Sequence, residues 1–164
     1  CSRGYTNPLH CPGGARETGC MSTDAATPIQ IVIDATDPLA QARFWAEALH
    51  YEVENTTDLI NRVIEAGLAT RDMIHEDDGR LYWNDLVGVG DPGGTGPRLL
   101  FQRNPAAKTD KNRLHLDLNV GAERRDDEVE RLRQLGAEVL YEIDEPGGHH
   151  VTMADPEGNE FCVQ

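Results

Sequence analysis

A histidine and an aspartate stand two residues apart in the segment LHLDLNV, residues 114–120. The alternation of apolar and polar residues predicts a strand, so His115 and Asp117 share one face, roughly 6–7 Å apart. A histidine near a carboxylate titrates in the range that suits general acid–base catalysis, so both are candidate catalytic residues. The simpler alternative is that both side chains only hydrogen-bond within a polar surface, and the sequence leaves both open.

Four further residues carry side chains that suit contact with a ligand. Cys162 needs an electropositive neighbour to become a reactive thiolate, and a buried, inert thiol is the alternative. His149 and His150 follow two glycines, so the pair either contacts a ligand or ends a solvated loop. Trp83 is predicted on a strand of the first sheet, either as a wall on which a ligand stacks or as part of the core.

The elements that must position these residues occur as two copies of one unit. Residues 29–54 and 114–143 each have the pattern strand, helix, strand. The first helix is predicted to begin at Asp37-Pro38, because proline suits the first helical position. The second helix is predicted to end before Gly136, a residue type that commonly terminates helices.

The ends of the two units also correspond. DPGGTGPRLLFQ at residues 91–102 matches DPEGNEFCVQ at residues 155–164 if the first turn has two extra residues. The first unit also contains DLINRVIEAGL, residues 58–68, whose apolar spacing predicts an additional amphipathic helix. The polar, proline-containing segment 103–112 is predicted to link the two units.

The sequence resembles the vicinal oxygen chelate superfamily, which includes glyoxalases, bleomycin-resistance proteins and extradiol dioxygenases. The resemblance rests on TDPLAQARFWAEAL, on LLFQRNP followed by KNRLHLDLNV, and on VTMADPEGNEFCV. It covers about residues 28–164 and looks most like the glyoxalase-like domains common in actinobacteria. It implies an α+β fold of two βαβββ modules, residues 28–104 and 113–164. Their curved mixed sheets would form an open cup, with a helical insertion in the first module.

Strand alternation predicts which side chains face this cup. The apolar faces should pack on the helices, and the polar faces should line a shared concavity of the kind that binds small molecules. The residues expected to contact a ligand are Gln30, Asp34, Trp83, Leu100, Gln102, His115, His150 and Cys162.

The resemblance also implies where a metal would bind. Enzymes of this superfamily usually hold a divalent metal at positions that match Gln30, Leu100, His115 and Cys162. Leucine cannot bind a metal and the set lacks a carboxylate, so the other three are weak candidates and no cofactor is expected. The expected function is binding of a small molecule in the cup without the full metal site. The alternative is a lyase, isomerase or dioxygenase-type enzyme that uses His115 with an atypical metal or acid–base set.

Composition narrows the partners and the location. The chain has 164 residues and a formal net charge of −14, which disfavours nucleic acid as a partner. It has no apolar run of the ~20 residues that a membrane span needs. Residues 1–27 are expected to be a disordered N-terminal extension, with the native start at Met21. After Met21 the only cysteine is Cys162, which suits a reducing cytoplasm, and the resemblance implies a homodimer.

Overall fold

The computed structural model describes residues 28–145 and 148–164. The predicted extension at residues 1–27 and its predicted start at Met21 lie outside the described residues. The described chain has an α+β fold with two four-stranded sheets and a separate two-stranded sheet. Across these described residues, no helix is both long and apolar enough to cross a membrane.

The first module forms one of the four-stranded sheets. Its elements are β1 (Gln30–Ala35), α1 (Pro38–Leu49), β2 (Glu52–Val53), α2 (Thr57–Glu65), a 3₁₀ turn (Arg71–Met73), β3 (Ile74–Asp77), β4 (Arg80–Trp83), β5 (Leu86–Gly90) and β6 (Arg98–Arg103). The strand order is β1-β6-β5-β2, and β1 runs parallel to β6. The helix α2 confirms the predicted insertion.

The second module repeats this topology without α2, the 3₁₀ turn and the β3–β4 pair. Its elements are β7 (Asp117–Leu118), α3 (Arg125–Gln134), β8 (Glu138–Glu145), β9 (Gly148–Ala154) and β10 (Glu160–Val163). The strand order is β7-β10-β9-β8, and β7 runs parallel to β10. Each sheet therefore places its first strand beside its last. The predicted repeat and the predicted pair of βαβββ modules are confirmed.

Local signals set the helix boundaries, and the predicted start of α1 and end of α3 are confirmed. The Asp37 carboxylate accepts a hydrogen bond from the backbone N–H of Ala40 at 3.0 Å, and Pro38 occupies the first helical position. Helix α1 ends at His50, which has a left-handed φ of 56°. Helix α3 is followed by Gly136 at a φ of 107°, a conformation that glycine adopts without the strain of a side chain.

Helix α1 packs on both modules. Leu99 and Phe101 of β6 lie in the same buried cluster as the apolar face of α1. On the side of the second module, the Trp45 ring meets the Phe161 ring of β10 in an edge contact, with centroids 5.2 Å apart. Burial of each such side chain contributes roughly 1.5–3 kcal/mol. The core is therefore continuous across the two modules.

Two predictions about the strands are wrong. Trp83 ends β4, which pairs with β3 in the separate two-stranded sheet instead of joining the first sheet. The segment predicted as one strand at residues 114–120 pairs with β10 at residues 117 and 118, and Leu114 is 66% exposed. The backbone N–H groups of Cys162 and Gln164 donate to the carbonyls of Leu116 and Leu118 at 3.0 Å each, and Leu114 lies before this ladder.

Candidate functional site

Alternation along the strands gives the first sheet an open face, turned away from α1. This face consists of Gln30, Val32 and Asp34 on β1, Arg98, Leu100 and Gln102 on β6, and Leu86 and Gly88 on β5. Leu99 and Phe101, which alternate with these residues, are buried in the core. The predicted ligand contacts on the first sheet therefore share one surface.

The second sheet has a corresponding open face. Cys162 of β10 lies between Asp117 of β7 and Thr152 of β9. Further along β9, His150 lies opposite Ile143 of β8. These five residues share the face that we call the open face of the second sheet, although Thr152 and Cys162 at its centre are buried, at 1% and 8% exposed, and only Asp117 among the five is exposed. Two of the predicted ligand contacts, His150 and Cys162, lie on it.

The two predicted catalytic residues occupy different settings. Asp117 is exposed on the open face of the second sheet. His115 precedes β7 and is half-buried. The strand geometry that predicted their spacing therefore does not extend to His115, and their catalytic role stays a prediction.

His149 and His150 belong to β9, so the interpretation of the pair as the end of a solvated loop is wrong. Nε2 of His149 lies 2.5 Å from a carboxylate oxygen of Glu142 on β8. Because neighbouring residues on a strand point to opposite faces, His150 turns to the open face of the second sheet. Contact of His150 with a ligand stays a prediction.

A charged cluster on the first sheet escaped the sequence analysis. The Nε and Nη2 groups of Arg98 donate to the two carboxylate oxygens of Glu54 at 2.5 and 2.6 Å, and Nη1 donates to Oε1 of Gln30. The hydrogen bonds to Glu54 raise the pKa of Arg98 above its usual value, so the guanidinium stays charged. Gly88 makes room for the pair, because a Cβ there would lie 2.6 Å from Cδ of Glu54. Because Arg98 lies two residues before Leu100 on β6, strand alternation could have placed its side chain on this face.

Cys162 is a buried thiol. Burial raises the pKa of the thiol, and the negative charge of Asp117 adds to the increase. The contact with Thr152, at 3.7 Å between Sγ and Oγ1, acts in the opposite direction. These surroundings favour the inert thiol over the reactive thiolate.

We expect Cys162 to react slowly with iodoacetamide in the folded protein. The test uses a variant in which Cys1, Cys11 and Cys20 are replaced by serine, so that one thiol remains. At pH 8 the native rate should be at least about 100-fold below the rate in urea, because burial limits both access and ionisation. Mass spectrometry gives both rates, and a native rate within about threefold of the unfolded one contradicts the assignment.

The DPEGN turn holds α1 in place. The buried Asp155 carboxylate accepts hydrogen bonds from Nε1 of Trp45 at 3.0 Å and from the backbone N–H groups of Glu157 and Asn159 at 3.0 and 2.9 Å. Glu157 in turn accepts from the backbone N–H groups of the two residues before α1, at 2.7 and 2.8 Å. A carboxylate at a helix N-terminus is electrostatically favourable. This turn is therefore structural, which the sequence analysis missed.

The residues matched to the metal positions do not fit a metal centre. Leu100 has no donor atom, and Oε1 of Gln30 already accepts a hydrogen bond from the Arg98 cation, which would repel a metal ion. The raised pKa of Cys162 opposes the thiolate form that metal binding requires. Within residues 28–145 and 148–164, no group of three His, Cys, Asp or Glu side chains is arranged to hold a metal ion.

Two βαβββ modules with open sheet faces define a fold of the vicinal oxygen chelate type. The family described as glyoxalase-like domain matches residues 30–164, so the chain belongs to this family. No functionally curated protein matches the chain significantly.

Solved structures share the fold at low sequence identity. One is a mutant of the fosfomycin resistance protein FosX from Listeria monocytogenes, complexed with Mn(II) and 1S,2S-dihydroxypropylphosphonic acid. It has a TM-score of 0.55 and 12% identity, with 88% of this chain and 90% of that chain covered. A glyoxalase/bleomycin resistance protein/dioxygenase family enzyme from Burkholderia phytofirmans PsJN has a TM-score of 0.54 and 16% identity, with 82% and 94% covered. A possible glyoxalase from Bacillus cereus has a TM-score of 0.54 and 15% identity, with 85% and 99% covered.

Proposed function

We propose that this chain binds a small molecule against the open faces of its two sheets, in the cup between the modules, without the family's full metal site. The observation that carries the proposal is an apolar strip on the open face of the first sheet. Val32, which is 50% exposed, lies beside Leu100, and Leu86, which is 41% exposed, lies diagonally across from Leu100 on β5. Apolar side chains left open beside a few polar groups are typical of small-molecule sites.

The charges on these faces favour a neutral or cationic ligand. Glu54 neutralises Arg98, whereas Asp34 accepts its hydrogen bond from the uncharged Nδ2 of Asn104 at 2.8 Å. Asp117 adds a further negative charge, and the whole chain carries a formal charge of −14. An anionic ligand would meet a repulsive potential on this surface. Neutral and cationic aromatic compounds are therefore the first ligands to test.

Calorimetric titration of a panel of such compounds tests the site. Val32→Lys places a long charged side chain across the apolar strip at an exposed position, and we expect it to weaken binding at least about tenfold. Leu59→Lys changes a residue of similar exposure on α2 and should bind like the wild type. Equal affinity of Val32→Lys and the wild type would place the ligand elsewhere and overturn the proposal.

The metal-free part of the proposal has its own measurement. Protein purified without an affinity tag should contain well under one equivalent of divalent metal, and chelator should not change its melting temperature. One tightly held equivalent that is lost in His115→Ala would contradict this expectation. That result would favour the alternative, an enzyme that uses His115.

We expect the protein to act as a homodimer in a reducing cytoplasm. Dimers with two-fold symmetry are the commonest homo-oligomers. The buried Cys162 thiol, paired with no other cysteine among the described residues, suits a reducing compartment. Light scattering after size-exclusion chromatography gives the mass, and a monomer at micromolar concentration rules out the dimer.

A further inference from the structure

The outer strand of the second sheet, β8, is open along one side. Its inner side pairs with β9, and in the part of the chain that the structure describes no backbone–backbone hydrogen bond joins β8 to any other element. In an antiparallel pair, alternate residues direct their N–H and C=O groups away from the partner strand. The outer side of Glu138–Glu145 therefore carries a row of donors and acceptors, and we call it the β8 edge.

The equivalent strand of the first module is protected in a way that β8 is not. β2 follows α1 as β8 follows α3, but β2 spans two residues and β8 spans eight. Proteins commonly shorten an outer strand, or place lysine or proline on it, to prevent pairing with other chains. β8 contains neither residue type. A register shift between Val139 and Tyr141 leaves Tyr141–Glu145 regularly paired with β9, which is the length of an ordinary strand.

Apolar side chains are exposed along the β8 edge. Val139, Leu140 and Tyr141 follow one another and are 38%, 42% and 44% exposed. A groove of about 660 Å³ lies between β8 and α3, and Val129, Ala137 and Val139 give it an apolar lining. Alternate side chains of an added strand would lie over this groove, because strand side chains alternate between two faces. The β8 edge thus offers apolar contacts as well as backbone hydrogen bonds, the combination that binding by strand addition uses.

The charge of the β8 edge selects the partner. The strand has no Lys or Arg and carries four carboxylates, on Glu138, Glu142, Asp144 and Glu145. Among the described residues, the ion-pair contacts of these carboxylates are confined to His149, whose ring nitrogens lie 2.5 Å from Glu142 and 3.9 Å from Asp144. One imidazole balances at most one of the four carboxylates, so the β8 edge is negative whether or not His149 is protonated.

The groove beside β8 does not offset this charge. Besides Glu138, its charged lining consists of Asp126, Glu130 and Arg133. Glu130 pairs with Arg133 at 3.0 Å, and a carboxylate oxygen of Asp126 lies 3.5 Å from Nε of Arg125. Each of these two carboxylates therefore has its own arginine, which leaves the excess of negative charge on β8 itself.

A second copy of this chain does not match the β8 edge. Pairing of β8 with another β8 would bring four carboxylates to each side of the junction without a Lys or Arg, and like charges on neighbouring strands are destabilising. A strand in which basic and apolar residues alternate would instead place cations near these carboxylates and apolar side chains over the groove. We propose that the β8 edge accepts an extended, basic segment of another protein as an additional strand, independently of the ligand on the open faces.

A fluorescein-labelled peptide in which lysine alternates with valine is the probe, titrated into the full chain and followed by fluorescence anisotropy. We expect saturable binding with a Kd of about 100 μM or lower. The same peptide with methylated backbone nitrogens keeps its charges but loses its N–H donors, so its affinity should fall at least about tenfold. A peptide with glutamate in place of lysine should not bind, because it meets the acidic edge with like charge.

Asp144→Lys tests the site on the protein. The substitution reverses an exposed charge on β8, and we expect it to weaken peptide binding about tenfold. Glu65→Lys is the matched control, since it makes the same change in net charge at the exposed last residue of α2, in the first module. Its effect should be less than about twofold. Val32→Lys should also leave the affinity unchanged, which separates the β8 edge from the open-face site.

Other results overturn the proposal, each in its own way. Equal affinity of the methylated and unmethylated peptides, or equal weakening by Asp144→Lys and Glu65→Lys, shows general attraction to an acidic surface. Weakening by Val32→Lys alone places the peptide on the open face of the first sheet. Absence of saturable binding below about 1 mM rejects the β8 edge as a docking site. Release of monomers from a dimer by the peptide, seen by light scattering, shows that a second copy of this chain covers the edge.

Discussion

Asp155→Ala is expected to lower the free energy of unfolding by about 3 kcal/mol or more. The carboxylate is 3% exposed, and its loss leaves the indole N–H of Trp45 and two backbone N–H groups without their acceptor. Each unsatisfied buried donor costs about 1–3 kcal/mol. The substitution also releases the DPEGN turn that carries Glu157 to the start of α1. Urea unfolding at pH 7, followed by far-ultraviolet circular dichroism, gives the change without relying on Trp45 emission.

Asp91→Ala is the matched control, because Asp91 occupies the same place in the first module. Its carboxylate accepts hydrogen bonds from the backbone N–H groups of Gly93 and Gly96 at 2.7 and 2.8 Å, and these bonds lower its pKa to about 2. A lowered pKa means that the contribution of Asp91 to stability is present above about pH 4 and is lost as the pH falls toward 2. All of these bonds lie within one exposed loop. Asp91→Ala should therefore shift the urea midpoint much less, and equal shifts would contradict the role assigned to Asp155.

Asp155 binds another element, whereas the bonds of Asp91 stay within its own loop. This difference limits what the DPEGN motif says about function. The DPEGN turn is part of the resemblance to glyoxalase-like domains, yet Asp155 and Glu157 bind α1 and its preceding residues. A residue pattern that stabilises a fold does not identify the ligand, because function depends on the site and not on the fold. The function must therefore be argued from the side chains on the open faces.

Local signals account for the parts of the fold that the sequence predicted. Asp37-Pro38 marks the start of α1 because its cap and its first helical residue act within one turn. Alternation correctly separated Leu99 and Phe101 from Leu100 on β6, since the side-chain period of a strand is two residues. Comparison of the two units gave the repeat of strand, helix and strand, and the resemblance to the family supplied the βαβββ topology.

Long-range contacts account for most of what the sequence did not predict. Trp83 has the residue type of a sheet position, but its strand β4 pairs with β3 in the separate two-stranded sheet, and no local sequence pattern distinguishes this partner from a strand of the first sheet. The pair of Arg98 with Glu54 joins residues 44 apart, and the bond between Trp45 and Asp155 spans 110 residues. The bonds of Arg131 to the carbonyls of Glu47 and Ala48 likewise join α3 to the end of α1 across more than 80 residues of sequence.

Arg131→Ala is expected to lower the free energy of unfolding by about 2 kcal/mol. Arg131 joins the modules through its bonds to the carbonyls of Glu47 and Ala48, and its side chain is 31% exposed. Its hydrogen bonds to Glu128 lower the pKa of that carboxyl. Because a carboxylate with a lowered pKa stabilises the fold above its usual pKa and loses this effect on acidification, the cost of Arg131→Ala should shrink as the pH falls below about 4. Urea unfolding at pH 7 and at lower pH measures both effects.

Arg133→Ala is the control for Arg131→Ala, because Arg133 forms an ordinary surface ion pair on the same helix. Arg133 bonds to Glu130 with the same spacing of three residues, but both side chains are 57% exposed, and in the described residues Arg133 forms no hydrogen bond or ion pair with the first module. Exposed pairs of this kind contribute at most about 0.5 kcal/mol, so Arg133→Ala should leave the stability nearly unchanged. Similar losses in the two variants would show that Arg131 acts through α3 alone. A loss confined to Arg131→Ala means that the carbonyls at the end of α1 are its essential partners, because that contact is what distinguishes the two arginines.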